Sequence, residues 1–224
     1  MSSLPAFGGN PGNLGNVDFI YISRIFKDYK AKSWKSMIIM NFQDFQDLTK
    51  WGKKNMKRIG VLSDTHGVVP PQVYTFFKDC DELWHAGDLG PGVLEELRAW
   101  KTVRAVYGNC DSFALHYELE EQLFFEVEGQ RVLMMHIGGW PGHYPTALRR
   151  TLELARPDLF VCGHSHILKV MYDREMGFLH INPGAAGRSG FHKSCTLVRF
   201  ALNPQPCELE IMDFPKFPEA DTAR

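Results

Sequence analysis

From Lys57 onward, short apolar runs alternate with segments in which apolar residues recur at helical spacing. The runs "RIGVLS", "ELWHAG" and "TVRAVYG" predict strands, since apolar residues, many of them β-branched or aromatic, dominate each. Between them, "PPQVYTFFKDC", opened by prolines, and "PGVLEELRAW" predict helices. That order argues for a mostly parallel sheet covered by helices. Next, "LFFEVEGQRVLMMHIG" predicts a hairpin turning at Glu128-Gly129. "TALRRTLELA" predicts a helix with Leu148, Leu152 and Ala155 on one face, and "DLFVCG" a buried strand. The last third, "LKVMYDREMGFLHINPG", "CTLVRFAL" and "CELEIMDF", is nearly all strand. A parallel α/β half followed by a β-rich half predicts two packed sheets with helices outside.

Upstream, the pattern is different. Residues 1–16, "MSSLPAFGGNPGNLGN", are rich in Gly, Asn, Pro and Ser and are expected to be disordered. Residues 17–55 hold aromatic and β-branched residues without a sustained period. The pattern changes abruptly at Met56, where "MKRIGVLSDTHG" gives a charged entry, an apolar strand and a polar turn. The folded domain is therefore expected over residues 56–214, with residues 215–224 as a tail. Residues 1–55 are read as a flexible extension or the product of a start codon placed too early, with a partner-docking arm as the rival.

Composition narrows the field. At 224 residues, 44% hydrophobic and 23% charged, the chain suits one substantial soluble domain plus an extension. A formal net charge of −1 gives no electrostatic drive toward nucleic acid or an anionic membrane. No apolar run has the length of a membrane span, and no basic segment followed by an apolar core opens the chain. The 5 cysteines form no C-x-x-C pair and are odd in number, which argues against a disulfide framework and for a reducing cytoplasm.

Polar residues gather where the predicted strands end. The first ends in Ser63-Asp64-Thr65-His66, the second in Ala86-Gly87-Asp88, and the third in Gly108-Asn109. "VLMMH" ends at His136, and "LFVCGHSH" at His164 and His166. In open α/β sheets, functional groups collect outside the carboxyl ends of the strands. Taken singly, each has an ordinary structural explanation. Asp caps turns and helix starts, Gly-Asp and Gly-Asn are turn dipeptides, and a lone His136 is commonly a satisfied core histidine. G-H-x-H is harder to dismiss. If the segment is extended, residues i and i+2 point to one side, so both imidazoles would face one spot. Burying such a pair without a proton or a metal is costly. Together these nitrogen and oxygen donors suit borderline and hard divalent cations.

In chain order the set reads D-x-H, G-D, G-N, H and G-H-x-H, and it resembles that of the calcineurin-like metallophosphoesterases. The chain's compact length, Gly108-Asn109-Cys110-Asp111 and Ile181-Asn182-Pro183-Gly184 are similar to the small bacterial and archaeal phosphodiesterase branch. The resemblance spans residues 56–214, and it is far more specific for superfamily than for substrate. It implies an α/β fold of two packed mixed β-sheets flanked by helices, a four-layer αββα sandwich. It also implies two divalent metal ions, manganese first, with iron, zinc or nickel accepted by the same donors. Asp64 and His66 would bind one ion, with His166 closing that site. Asn109, His136 and His164 would bind the other, and Asp88 would bridge both.

Two adjacent cations activate a shared water and polarise phosphoryl oxygens, so hydrolysis of a phosphate ester needs no protein nucleophile. Neither a G-x-S-x-G elbow nor a P-loop lysine motif occurs, in keeping with this. The implied substrate is a small phosphate ester, a nucleotide among the candidates. Asp88, Asn109 and Cys110 are the implied catalytic residues, and the assembly state, a homo-oligomer included, stays open.

Two departures alter the expectation. Many superfamily members carry histidine directly after the asparagine, at the reacting phosphate or the leaving oxygen. Cys110 stands there in this chain. A thiol with an ordinary pKa of about 8.5 is a weaker hydrogen bonder and a poor acid. Slow turnover follows, with a preference for leaving groups that need little protonation. In "HIGGWPGHY", Ile137, Gly138 and Gly139 follow His136 where relatives often have Gly-His. The segment predicts a tight loop over the metals, with Trp140 packed and His143 at the surface. His85 is weighed equally as support for the site and as core packing, and Asn182, Pro183 and Gly184 are expected to shape a turn nearby. Arg188 is expected to be solvated and Cys162 to pack in the core, while His116, His180 and His192 carry no argument.

Two rivals differ in class. A non-catalytic protein-interaction scaffold on the same fold, as in the retromer coat subunit, would tolerate an eroded ligand set, whereas every expected position is filled here. A metal-dependent amidohydrolase would place H-x-H on the first strand, the reverse of the order in this chain.

Overall fold

The computed structural model describes residues 56–203 and 205–217. The expectations for residues 1–55, and for the tail beyond residue 217, lie outside the described residues. Two five-stranded sheets make up the fold. In the first, β1 (Lys57–Leu62), β2 (Glu82–Ala86) and β3 (Thr102–Val106) run parallel, and α1 (Pro71–Phe76) and α2 (Val93–Trp100) connect them. A short helix, α3 (Phe113–Glu118), leads to the second sheet. Its strands are β4 (Gln122–Val127), β5 (Gln130–Met135), β6 (Leu159–Val161), β7 (Leu168–Asp173) and β8 (Phe178–Pro183), with α4 (Thr146–Ala155) between β5 and β6. Strands β5, β6 and β8 are parallel, and β4 and β7 close the edges antiparallel. Finally β9 (Ser194–Asn203) returns to pair antiparallel with β1, and β10 (Gln205–Pro215) pairs with β9.

Alternation along the strands sets the layers. Ile59, Val61, Trp84 and Ala86 of the first sheet meet Val132, Met134, Leu159, Val161 and Ile181 of the second in one shared core. Their neighbours face the other way: Leu62 and Leu83 pack with Val73, Leu94 and Leu97 of α1 and α2. On the second sheet, Leu133 and Phe160 pack against Leu148 and Leu152 of α4. The result is the αββα sandwich, and both sheets are mixed. Trp84 is fully buried at its centre, edge-on to Phe125 and Phe200 at 5.2 and 5.7 Å. Truncating it to alanine costs about 3–5 kcal/mol.

The hairpin turns at Glu128-Gly129, both at positive φ (48° and 74°), as expected of a tight two-residue turn. Sequence pattern did not anticipate α3, because Phe113 and Tyr117 are exposed and leave no apolar stripe. Among the described residues, no helix is long and apolar enough to cross a membrane.

Candidate metal centre

Strands β1, β2, β3, β5 and β6 all end on one rim, and their loops are stitched together by backbone hydrogen bonds. The Asp64 amide donates to the Gly87 carbonyl (3.0 Å), and that of His66 to the Asp88 carbonyl (3.0 Å). Within the second sheet, the Gly163 amide donates to the His136 carbonyl (2.9 Å); across the sheets, the Gly187 amide donates to the Asp64 carbonyl (3.0 Å). These bonds hold an unusual backbone. Asp64, His66, Asp88, His164 and His166 all adopt positive φ, from 49° to 66°. Each such residue costs on the order of 1–3 kcal/mol and persists where its surroundings over-determine it, which is typical of functional sites.

One sequence expectation needs correcting here. Strand β6 stops at Val161, and His164 and His166 lie in a turn at φ 66° and 56°, not on an extended segment. The period-of-two argument therefore does not apply, and the two rings do not share a spot. His166 neighbours His66 (centroids 5.5 Å apart), whereas His164 neighbours His136 (5.2 Å).

Each carboxylate is anchored by one oxygen and offers the other. Oδ2 of Asp64 accepts from the Ser63 hydroxyl (2.6 Å) and the His164 amide (3.1 Å). Its Oδ1 is buried without a hydrogen-bond partner, 3.1 Å from His166 Nε2 and 3.9 Å from His136 Nε2. Oδ1 of Asp88 accepts from the Cys110 amide (2.8 Å), and Oδ2 lies 3.3 Å from His136 Nε2 and 3.9 Å from His66 Nε2. His136 donates from Nδ1 to the Ala86 carbonyl (2.7 Å), so in the neutral ring Nε2 turns its lone pair toward the carboxylates. Burial opposes the Asp88 anion, yet His136, when its ring is protonated and donates from Nε2, and the Cys110 amide hold its carboxyl well below the usual range.

Two glycines permit this approach. A Cβ on Gly108 would sit 2.1 Å from Asp88 Oδ1, and one on Gly87 would sit 2.5 Å from His136 Nδ1. Only glycine fits either position without displacing a member of the set.

The donor atoms form three overlapping groups: Asp64, His66 and His166; Asp64, Asp88 and His136; and His66, Asp88 and Cys110. Within each group the ligand atoms lie within 4.8 Å of one another. Buried Asp64 Oδ1, His66 Nε2 and His136 Nε2 lack hydrogen-bond partners, an arrangement that is expensive unless something else satisfies them. Divalent cations fit this set. The two remaining expected ligands stand beside it: His164 is exposed, and Asn109 is exposed with its amide donating to Cys110 Sγ (3.3 Å).

A family model described as the calcineurin-like phosphoesterase superfamily domain matches residues 56–204. The chain belongs to this superfamily. A relative named "Probable metallophosphoesterase", from Methanothermobacter thermautotrophicus, is 36% identical over 136 residues, covering 57% of this chain and 76% of that protein. Among solved structures, a novel archaeal phosphodiesterase is similar in fold at 21% identity and a TM-score of 0.57, over 70% of this chain and 99% of that one. Vacuolar Protein Sorting 29 from Cryptosporidium parvum is similar at 19% identity and a TM-score of 0.55, over 72% and 99%.

Around this calcineurin-like centre, Asp111, to which sequence reasoning gave no role, braces the loops together with His85 and Asn182. The Asp111 carboxylate accepts from the Gly108, Leu89 and Gly90 amides (2.8, 3.2 and 2.8 Å), tying the loop after β3 to the one after β2. His85 is fully buried, and its Nε2 lies 2.9 Å from the Thr65 hydroxyl, which itself donates to the Leu89 carbonyl. It both supports the Asp64-Thr65-His66 turn and packs. Asn182 donates to the Gly163 carbonyl (2.8 Å) and the Ser165 hydroxyl (3.1 Å), shaping the histidine turn as expected. Trp140 is not packed away: it is 46% exposed, beside exposed His143 and under Lys169 Nζ at 5.8 Å. Packing failed there because Gly138 and Gly139 hold the loop against Cys162 and His143, leaving Trp140 no apolar slot.

Proposed function

We propose that this chain is a metal-dependent phosphodiesterase or phosphatase acting on a small phosphate ester, a nucleotide among the candidates. Asp64, His66, Asp88, Asn109, His136, His164 and His166 would hold two divalent cations, with manganese as the first assignment. The reading rests on one observation: buried Asp64 Oδ1, His66 Nε2 and His136 Nε2 converge without hydrogen-bond partners. When bound, such ions would supply an activated water and offset charge at phosphorus.

The chain's own groups do the rest. Asp64 and Asp88 each spend one oxygen on fixed donors, so the free oxygen is held in place before any ligand arrives. Asn109 and Cys110 face solvent on the loop beside Asp88; Asn109 is assigned to the cations and Cys110 to the substrate phosphate. Burial, and then the Asp88 carboxylate, push the Cys110 thiol up, so it stays protonated near neutral pH and is not a nucleophile. The leaving oxygen must depart with little help. The described cysteines are all free thiols, which suits a cytoplasmic enzyme.

Metal analysis of the purified protein, followed by hydrolysis of a panel of phosphomonoesters and phosphodiesters with manganese added, tests the reading. Bound divalent metal and turnover of at least one ester are expected. A folded protein that binds no divalent ion and hydrolyses nothing would overturn it. The second reading, a non-catalytic scaffold, is favoured by the fold likeness to Vacuolar Protein Sorting 29 and opposed by the clustered donors Asp64, His66, Asp88, His136 and His166.

A further inference from the structure

His166 is held from its other ring nitrogen by a residue to which no role has been given. His192 Nδ1 lies 3.1 Å from His166 Nδ1, with the rings steeply inclined at 71°. The second nitrogen of His192, Nε2, lies 2.9 Å from the Gly187 carbonyl oxygen. A carbonyl only accepts, so His192 Nε2 carries the proton. Neutral imidazole has a single N–H, which leaves His192 Nδ1 as an acceptor. His166 Nδ1 must then donate, and His166 Nε2, 3.1 Å from Asp64 Oδ1, keeps its lone pair. At about pH 8 an imidazole is neutral and carries one N–H, so the two hydrogen bonds of His192 fix its tautomer.

The loop bearing these groups is fastened in place. Lys216 Nζ donates to the Gly190 carbonyl (2.5 Å), and Cys195 Sγ donates to that of Gly187 (3.1 Å). Gly190 (φ 96°) lies so close that a Cβ there would be 2.4 Å from His166 Nδ1. The backbone and His192 thus confine one edge of the His166 ring.

We propose that His192 is a positioning residue that fixes His166 in the Nδ1–H tautomer and so presents Nε2 to a cation at Asp64. Histidine ligands commonly donate their other N–H to an oxygen acceptor; here the acceptor is a second imidazole. The inference rests on His166 being a ligand, as proposed above, but the tautomer belongs to the chain alone and is measurable without metal.

Long-range nitrogen–proton NMR spectra of the full chain, labelled at histidine nitrogen, stripped of metal and held at about pH 8 where imidazole is neutral, read it directly. The His166 signals are assigned by their loss in His166→Gln. Wild type is expected to show His166 protonated at Nδ1, and so is His192→Asn, whose Oδ1 offers an acceptor in nearly the same place. In His192→Leu the ring should shift toward the Nε2–H form that free histidine favours. Manganese titration by calorimetry should show roughly 10–100-fold weaker binding for His192→Leu and near-wild-type binding for His192→Asn. A wild-type His166 protonated at Nε2 overturns the proposal, as does a His192→Leu protein that keeps both the Nδ1–H form and wild-type affinity. If the wild-type tautomer is as expected and manganese does not bind, the positioning stands and the ligand assignment falls.

Discussion

Oδ2 of Asp88 and Nε2 of His136 lie 3.3 Å apart, although one follows β2 in the first sheet and the other follows β5 in the second. The contact exists because the two sheets share one core and end on one rim. It also makes Asp88 the residue whose loss should separate the two functional readings. Asp88→Ala is expected to lower phosphoesterase turnover by more than about 100-fold, beyond the loss typical of an outer-shell partner. A variant that keeps wild-type turnover would remove the catalytic role given to Asp88.

Chelation should cost stability. A ligand that binds only the folded state adds about 4 kcal/mol when present at roughly 1,000 times its Kd. For a domain of this size, 1 kcal/mol corresponds to about 2–4 °C in Tm. Treating the protein with a chelator should therefore lower Tm by on the order of 10 °C, and added manganese should restore it. Calorimetric scans of the two forms check this, and superimposable transitions would count against a cation in the site.

Gly108 offers a way to disturb the centre without changing a ligand. In Gly108→Ala the new methyl would sit 2.1 Å from Asp88 Oδ1 and 2.3 Å from the Asp88 amide nitrogen, so Asp88 must move. Overpacking of this kind costs about 1–3 kcal/mol. The expected outcome is a modest fall in Tm together with loss of manganese binding by calorimetry. Retained binding at unchanged affinity would mean that Asp88 is not fixed as its hydrogen bonds indicate.

The layers of this fold were legible because β1, β2, β5 and β6 are short, largely apolar runs, as strands covered on both faces require. The return of β9 to β1 was not, since antiparallel pairing between distant segments leaves no local trace. At the centre, residue types at strand ends pointed to Asp64, His66, Asp88, His136 and His166, which the structure brings together, but strand periodicity gave the wrong reason for the G-H-x-H pair. The left-handed backbone at His164 and His166 comes from contacts with loops far away in sequence. His192 and Asp111 act through tertiary hydrogen bonds, so no spacing in their own segments could have marked them.

Cys110 leads to a prediction about substrate choice. Its thiol is raised by burial and by Asp88, and it stands where relatives of the family commonly place histidine, so proton donation to a departing alkoxide is weak. An aryl phosphodiester, whose leaving group is stable as an anion, should be hydrolysed much faster than an alkyl one. Steady-state rates on a matched pair check this. Equal rates, with the chemical step limiting, would place an efficient acid elsewhere in the site.

Two fully buried histidines, His85 and His180, should each weaken the fold as pH falls toward 4. Burial pushes His85 and His180 down to about 4, against an ordinary value of 6.5. Between those values the unfolded chain binds protons that the folded one refuses at these two sites, so their contribution to stability falls as pH drops from about 6.5 toward 4 and is flat above that window. Each histidine then lowers stability by about 2 kcal/mol at pH 5 relative to pH 7.5, given 1.36 kcal/mol per pKa unit. His180 is the one to test, since it packs beside Tyr144 and Phe160, away from the proposed metal ligands, and its Nδ1 has no hydrogen-bond partner. In His180→Leu, urea unfolding should show a smaller stability difference between the two pH values, by about 2 kcal/mol, with little change at pH 7.5. An unchanged difference would mean that His180 takes up its proton in the folded state as readily as in the unfolded one.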